Sequence, residues 1–92
     1  MDEPLAPATA RGLVRQILST GSVRFSSHSL DEMDKDGLSE ADCVNVLRGG
    51  FADPPDFIQG TWRYRMCTPR IVVVITFRSE TQLMVVTAWR KK

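Results

Sequence analysis

Arg70-Ile71-Val72-Val73-Val74-Ile75-Thr76-Phe77-Arg78 is the stretch whose reading decides the fold. Ile71–Phe77 is a nearly continuous run of β-branched residues, which suits a central strand buried on both faces. Such a strand needs neighbours on both sides. Upstream, Thr61–Cys67 alternates Trp62, Tyr64 and Met66 with Arg63, Arg65 and Cys67, and Thr68-Pro69-Arg70 reads as the turn between the two runs. Downstream, Arg78-Ser79-Glu80-Thr81 is a second turn, and Gln82–Arg90 is the last strand. Connections this short imply an antiparallel meander with 71–77 in the middle.

The residues before the meander read as helices. Pro7 fits a first helical turn, Ala10, Leu13, Val14, Ile17 and Leu18 recur at helical spacing, and Gly21 is a natural stop. Residues 22–26 alternate like a short strand, and Ser26 or Ser27 can cap a second helix that carries His28, Leu30, Met33 and Lys35 and ends at Gly37. Ser39 opens a third helix with Asp42 three residues on, a variant of the capping box, and Leu38 and Cys43 sit where a hydrophobic staple places them. Val44, Val46 and Leu47 form its apolar side, and Gly49-Gly50 ends it. Asp53-Pro54-Pro55-Asp56 is a rigid extended connection. The expected fold is α+β: residues 1–6 as a flexible tail, then one domain over 7–92 with N-terminal helices packed on a C-terminal antiparallel sheet.

Lys and Arg number 12 against 11 Asp and Glu, so net charge does not mark a nucleic-acid binder. Its distribution is more informative. From residue 57 onward Glu80 is the only acid, against Arg63, Arg65, Arg70, Arg78, Arg90, Lys91 and Lys92. That asymmetry points to a polyanion or an acidic partner, or to cationic sheet edges that resist aggregation. Cys43 and Cys67 form no C-x-x-C pair, and His28 is the single histidine, so the sequence offers no zinc site. Cys43 shares a helix face with Val44 and Leu47 and reads as a small core residue. No apolar run reaches the roughly 18 residues of a membrane span, and Met1-Asp2-Glu3-Pro4 does not read as a signal peptide. These readings place the protein in a reducing cytoplasm, away from membranes.

Four features could carry chemistry. Glu32 to Gly37 has the spacing of the first half of a calcium loop, but Cys43 falls where the bidentate carboxylate is required. His28, near a helix start, is either a surface or capping residue or a general acid or base. Arg63 and Arg65 project from one strand face about 7 Å apart, a spacing that can grip neighbouring phosphates or a developing phosphorane. Trp62 and Tyr64 take the opposite face, as core if helices cover it and as a stacking platform if they do not. The strand end Trp89-Arg90, with Lys91 and Lys92, is a cationic terminus or a solubilising one.

Six segments carry a resemblance: Leu13-Val14-Arg15, Val23-Arg24-Phe25-Ser26-Ser27-His28, Gly37-Leu38-Ser39 through Leu47, Trp62-Arg63-Tyr64-Arg65, Arg70 to Val74, and Val85 to Arg90. Together they resemble a family of small bacterial domains of unknown function, over nearly the whole chain from residue 10. The layout is also similar to MqsR toxins of the RelE-like superfamily. The resemblance implies a RelE-like α+β toxin of a bacterial type II toxin–antitoxin system: a metal- and cofactor-independent endoribonuclease that cleaves mRNA. Its partner would be an antitoxin, of the MqsA-like zinc-finger or helix-turn-helix kind. Residue by residue the resemblance matches His28, the Arg63-Tyr64 strand and the Trp89-Arg90 ending; on the ribonuclease reading His28, Arg63, Tyr64 and Arg65 are the expected catalytic residues, and Arg24, Lys35, Trp89, Arg90 and Lys91 the expected RNA contacts. Asp36 departs from the family pattern, which has a basic residue immediately before the glycine. The alternative is a non-catalytic protein- or RNA-binding module on the same fold.

Overall fold

The computed structural model describes residues 1–92. The three runs of the meander become strands at the expected bounds: β4 (Thr61–Cys67), β5 (Ile71–Phe77) and β6 (Gln82–Arg90). They follow α1 (Pro7–Thr20), β1 (Ser22–Phe25), α2 (Ser27–Lys35), α3 (Glu40–Gly49), β2 (Phe51–Ala52) and β3 (Asp56–Ile58). Sheet order is β1-β6-β5-β4-β2, with β3 pairing separately to β4, so β5 is central. No helix is long and apolar enough to cross a membrane.

The class is α+β, but the sheet is mixed and is not confined to the C-terminal half. β1 pairs parallel to β6, with Val23 opposite Leu83 and Phe25 opposite Val85. This corrects the expectation of an antiparallel sheet. A parallel neighbour requires a long crossover, and here the rest of the chain between β1 and β6 supplies it. β2 and β3 are the other departure: the stretch around Pro54-Pro55 pairs with β4 on either side of the prolines, Ala52 with Met66 and Asp56 with Arg63.

Helix ends follow local chemistry. Ser26 caps α2 by accepting the Ser29 N–H at 3.0 Å. Ser39 and Asp42 form a full capping box: Ser39 Oγ accepts the Asp42 N–H at 3.0 Å, and Asp42 Oδ2 accepts the Ser39 N–H at 2.9 Å. The hydrogen bond from the Ser39 N–H holds the Asp42 carboxyl below its ordinary range. Gly37 ends α2 with φ +66°, a left-handed turn that favours glycine. Gly21 ends α1 for a different reason. Its backbone is extended, and an added Cβ would lie 2.2 Å from the Thr81 carbonyl oxygen, so no side chain fits against the β5–β6 turn.

The core lies between the helices and one sheet face. Ala10, Val14 and Ile17 of α1 and Cys43, Val46 and Leu47 of α3 pack on Tyr64, Met66, Val73, Ile75, Leu83 and Val85. Burial pushes the Cys43 thiol up to about 11, which makes it an inert packing group, as its position on the helix implied. On the opposite sheet face Cys67, Val72 and Val74 form a second, smaller apolar cluster. β5 is therefore buried from both sides, although only one side has helices.

Two glycine substitutions test this packing. Gly12 lies on α1 with nothing within 4 Å of an added Cβ. Gly12→Ala should stabilise by roughly 0.5–1 kcal/mol. Gly21→Ala should destabilise by about 1–3 kcal/mol as the β5–β6 turn is displaced. Each kcal/mol should move the melting temperature by about 4–8 °C. Equal shifts in thermal melts of the two variants would refute the close approach at Thr81.

Candidate nucleic-acid interface

The pleat sorts the expected site residues onto different sides of the sheet. Residues directly opposite on neighbouring strands share a face. Cys67, Val72 and Trp89 form one cross-strand row, and Arg65, Val74 and Thr87 the next. Asp56 is paired with Arg63, and Thr76 with Met84, which is in turn opposite Arg24. All of these project from the face without helices. Arg24, Arg63, Arg65 and Trp89 thus share one open surface.

Within it, Asp56, Ile58, Arg63, Arg65, Val74, Thr87 and Trp89 line a hollow of about 250 Å³. Arg63 makes no ion pair, and its Nε is shielded from solvent without a hydrogen-bond partner. An unmet donor on a permanently charged guanidinium is a costly arrangement without an acceptor. Arg65 differs. Asp53 Oδ2 lies 3.9 Å from its Nε, and Asp56 Oδ2 lies 3.8 Å from its Nη2. Arg65 is already partly neutralised, so the paired arginines of the sequence are one free cation and one engaged cation. Trp89 is 38% exposed and flanks them. Three wider hollows, of about 420 to 700 Å³, contain none of the expected site residues.

Tyr64 lies on the other side. It is fully buried among the core residues, with its ring 5.0 Å from that of Phe77. Its hydroxyl donates to Glu3 Oε2 at 2.8 Å and accepts the Leu5 N–H at 3.0 Å. Burial above all, with the Glu3 carboxylate adding to it, pushes the phenol up to about 12. That is a structural hydroxyl which ties residues 3–5 to the sheet, and the helix-covered alternative for the Trp62–Tyr64 face is the one observed.

Arg90 is also committed to the fold. Its Nε donates to the Asp36 carbonyl at 2.9 Å and an Nη to the Gly37 carbonyl at 3.2 Å. Asp36 Oδ2 accepts the Arg90 N–H at 2.8 Å. Arg90 thus closes the C-terminal end of α2, where a cation suits the exposed carbonyls. Asp36 in turn anchors the end of β6 to α2. Lys35 sits on the same helix in an exposed pair with Glu32 at 3.1 Å. Lys91 follows β6, with its N–H donating to the Arg70 carbonyl at 2.8 Å.

His28 is exposed in the first turn of α2. That turn is fastened to a bulge in β6, where Val74 faces Thr87 and Ile75 faces Val85, leaving Val86 extra. Ser26 N–H donates to the Val85 carbonyl at 3.0 Å, and Ser26 Oγ donates to the Val86 carbonyl at 3.1 Å. The start of α2 is thereby fixed to β6 at the residue before Thr87, and His28 itself does not line the hollow. Sequence reasoning did not single out Thr87 or Asp56. Both are brought to Arg63 by pairing register, which the local sequence does not record.

A family model described as "Domain of unknown function (DUF4258)" matches residues 25–90. No curated protein and no solved structure matches the chain.

Tyr64 is the only tyrosine, so its titration can be followed alone. Tyrosinate absorbance should rise near pH 12 in the folded protein and near 10 in denaturant. Because the folded value is the higher one, Tyr64's contribution to stability is whole below pH about 10 and is lost as pH climbs toward 12. Tyr64→Phe should cost about 1–2 kcal/mol by leaving the Leu5 N–H and Glu3 without their partner. A native transition near 10 would place the hydroxyl in solvent.

Proposed function

The chain belongs to the DUF4258 family, and we propose that it is an RNA-binding domain of the toxin-ribonuclease kind, holding single-stranded RNA on the open face of its sheet. The observation that carries the reading is Arg63, an unpaired guanidinium in a hollow beside the exposed aromatic Trp89. Cations that track phosphates, with aromatics that stack bases, are the common means of holding a single strand. Arg24 lies three strands from Arg63, about 14 Å at ~4.8 Å per strand. The two cations can reach phosphates separated along one chain.

In the ribonuclease mechanism the RNA 2′-hydroxyl gives its proton to a base and attacks the adjacent phosphorus, the bond to the 5′-oxygen breaks as a cyclic phosphate forms, and an acid returns a proton to the departing 5′-oxygen. Arg63 supplies positive charge to the phosphorane. His28, exposed in the first turn of α2, is assigned the proton transfer. Tyr64 has no part in it, because its hydroxyl is engaged within the fold, and Arg90 is tied to the end of α2 through Nε and one Nη. The wider setting of a RelE-like, cytoplasmic toxin neutralised by an antitoxin rests on the resemblance. The second reading is a binding module without cleavage, and the separation of Tyr64 from Arg63 favours it.

Expression of the protein alone in bacteria distinguishes the two. Growth arrest relieved by His28→Ala and by Arg63→Ala, but not by a folded Tyr64→Phe, is the expected result. Loss of an acid–base participant should slow cleavage of purified RNA by about 10²–10⁴-fold. A harmless wild type that binds RNA and leaves it intact would select the binding module. In either case affinity should fall steeply with salt, and Arg63→Ala should reduce the salt slope by about one. A salt-independent affinity would remove the phosphate grip altogether.

A further inference from the structure

We infer that the hollow beside Arg63 is a nucleobase subsite selective for guanine, with Asp56 reading the base edge and Trp89 stacking on its face. This deepens the RNA-binding reading and rests on it. The hollow, at about 250 Å³, is just below the ~300–1,000 Å³ typical of drug-sized ligands. That is the scale of one planar ring system. Its wall and floor are apolar, from Ile58 and Val74, and Trp89 provides an exposed indole. Stacking on such a face accepts any base. Selectivity must come from polar groups.

Asp56 is the one carboxylate in the lining. It is directly opposite Arg63 across the β3–β4 pair, and its Oδ2 lies 3.8 Å from Arg65. Arg65 lies on the Oδ2 side of the acid. A carboxylate has two oxygens and accepts only. Guanine is the base that presents two adjacent donors, N1–H and N2–H, to such a fork. Adenine, cytosine and uracil each place at least one acceptor there, which a carboxylate repels. Arg63, on the neighbouring strand, supplies donors for the attached phosphate. An acid and an unpaired cation side by side at a phosphate-binding surface are thus read as a base contact next to a backbone contact.

The test uses 2′-O-methyl uridine heptamers, which cannot be cleaved, with a central G, A, C or U. Binding is followed by titration with fluorescently labelled strands. The central-G strand should bind about tenfold more tightly than the others, the discrimination typical of one bidentate pair. Asp56→Asn should bring the four strands to within about twofold of one another. Asp53→Asn, which removes Arg65's other carboxylate but lies outside the hollow, should keep the preference. Trp89→Ala should weaken all four. Equal affinities in the wild type would overturn the guanine subsite while leaving the RNA grip standing, as would a preference that survives in a folded Asp56→Asn. Failure to bind any of the strands would remove the RNA-binding reading, and the subsite with it.

Discussion

Everything in this fold depends on burying β5 from both sides. Ile71–Phe77 offers apolar groups to each face, and a strand of that kind leaves neither face to water without a large hydrophobic cost. On one side α1 and α3 meet the demand. On the other, Val72 and Val74 pack with Cys67 and Val86, and Trp89 stands directly opposite Val72. The result is an apolar floor under a rim of arginine, carboxylate and indole. A wholly polar face could not have held the strand.

The same constraint separates structural chemistry from surface chemistry one residue at a time. Along β4, Tyr64 turns toward the helices and Arg63 and Arg65 turn away. Adjacent in sequence, they never share a microenvironment. The phenol therefore becomes a clamp for Glu3 and Leu5, while the guanidinium beside it stays unpartnered. Residues 1–6, expected as a loose tail, include the two partners of that clamp.

Elements set by local signals were legible from the sequence. The alternation and turns placed β4, β5 and β6, and Ser39 with Asp42 announced α3 through a capping box that the side chains do form. Features set by distant partners were not. Residues 22–25 alternate like any strand, and nothing in them names β6 as a parallel neighbour. β2 and β3 are two and three residues long and sit around a proline pair, so their pairing comes from β4 and not from their own propensity. Arg90 reads as a ligand for RNA until the end of α2, more than fifty residues earlier in the chain, is found on its guanidinium. In the candidate site Arg63, Arg65 and Trp89 were visible, whereas Asp56 and Thr87 needed the register.

The parallel edge has a consequence for the order of assembly. The β4–β5 and β5–β6 contacts close over turns of three and four residues, which is a small loss of chain entropy. The contacts of Ser26 and Ser22 with β6 span 60 positions, and a loop of that length forms more slowly than a hairpin. The meander is therefore expected to exist before β1 joins it. The start of α2 is held through Ser26 to Val85 and Val86, so it settles only when that late closure occurs. The last event of folding would then be the one that fastens β1 and the start of α2, with Arg24 and His28, to the sheet, and an incompletely folded chain would carry Arg63 and Arg65 on the meander without them.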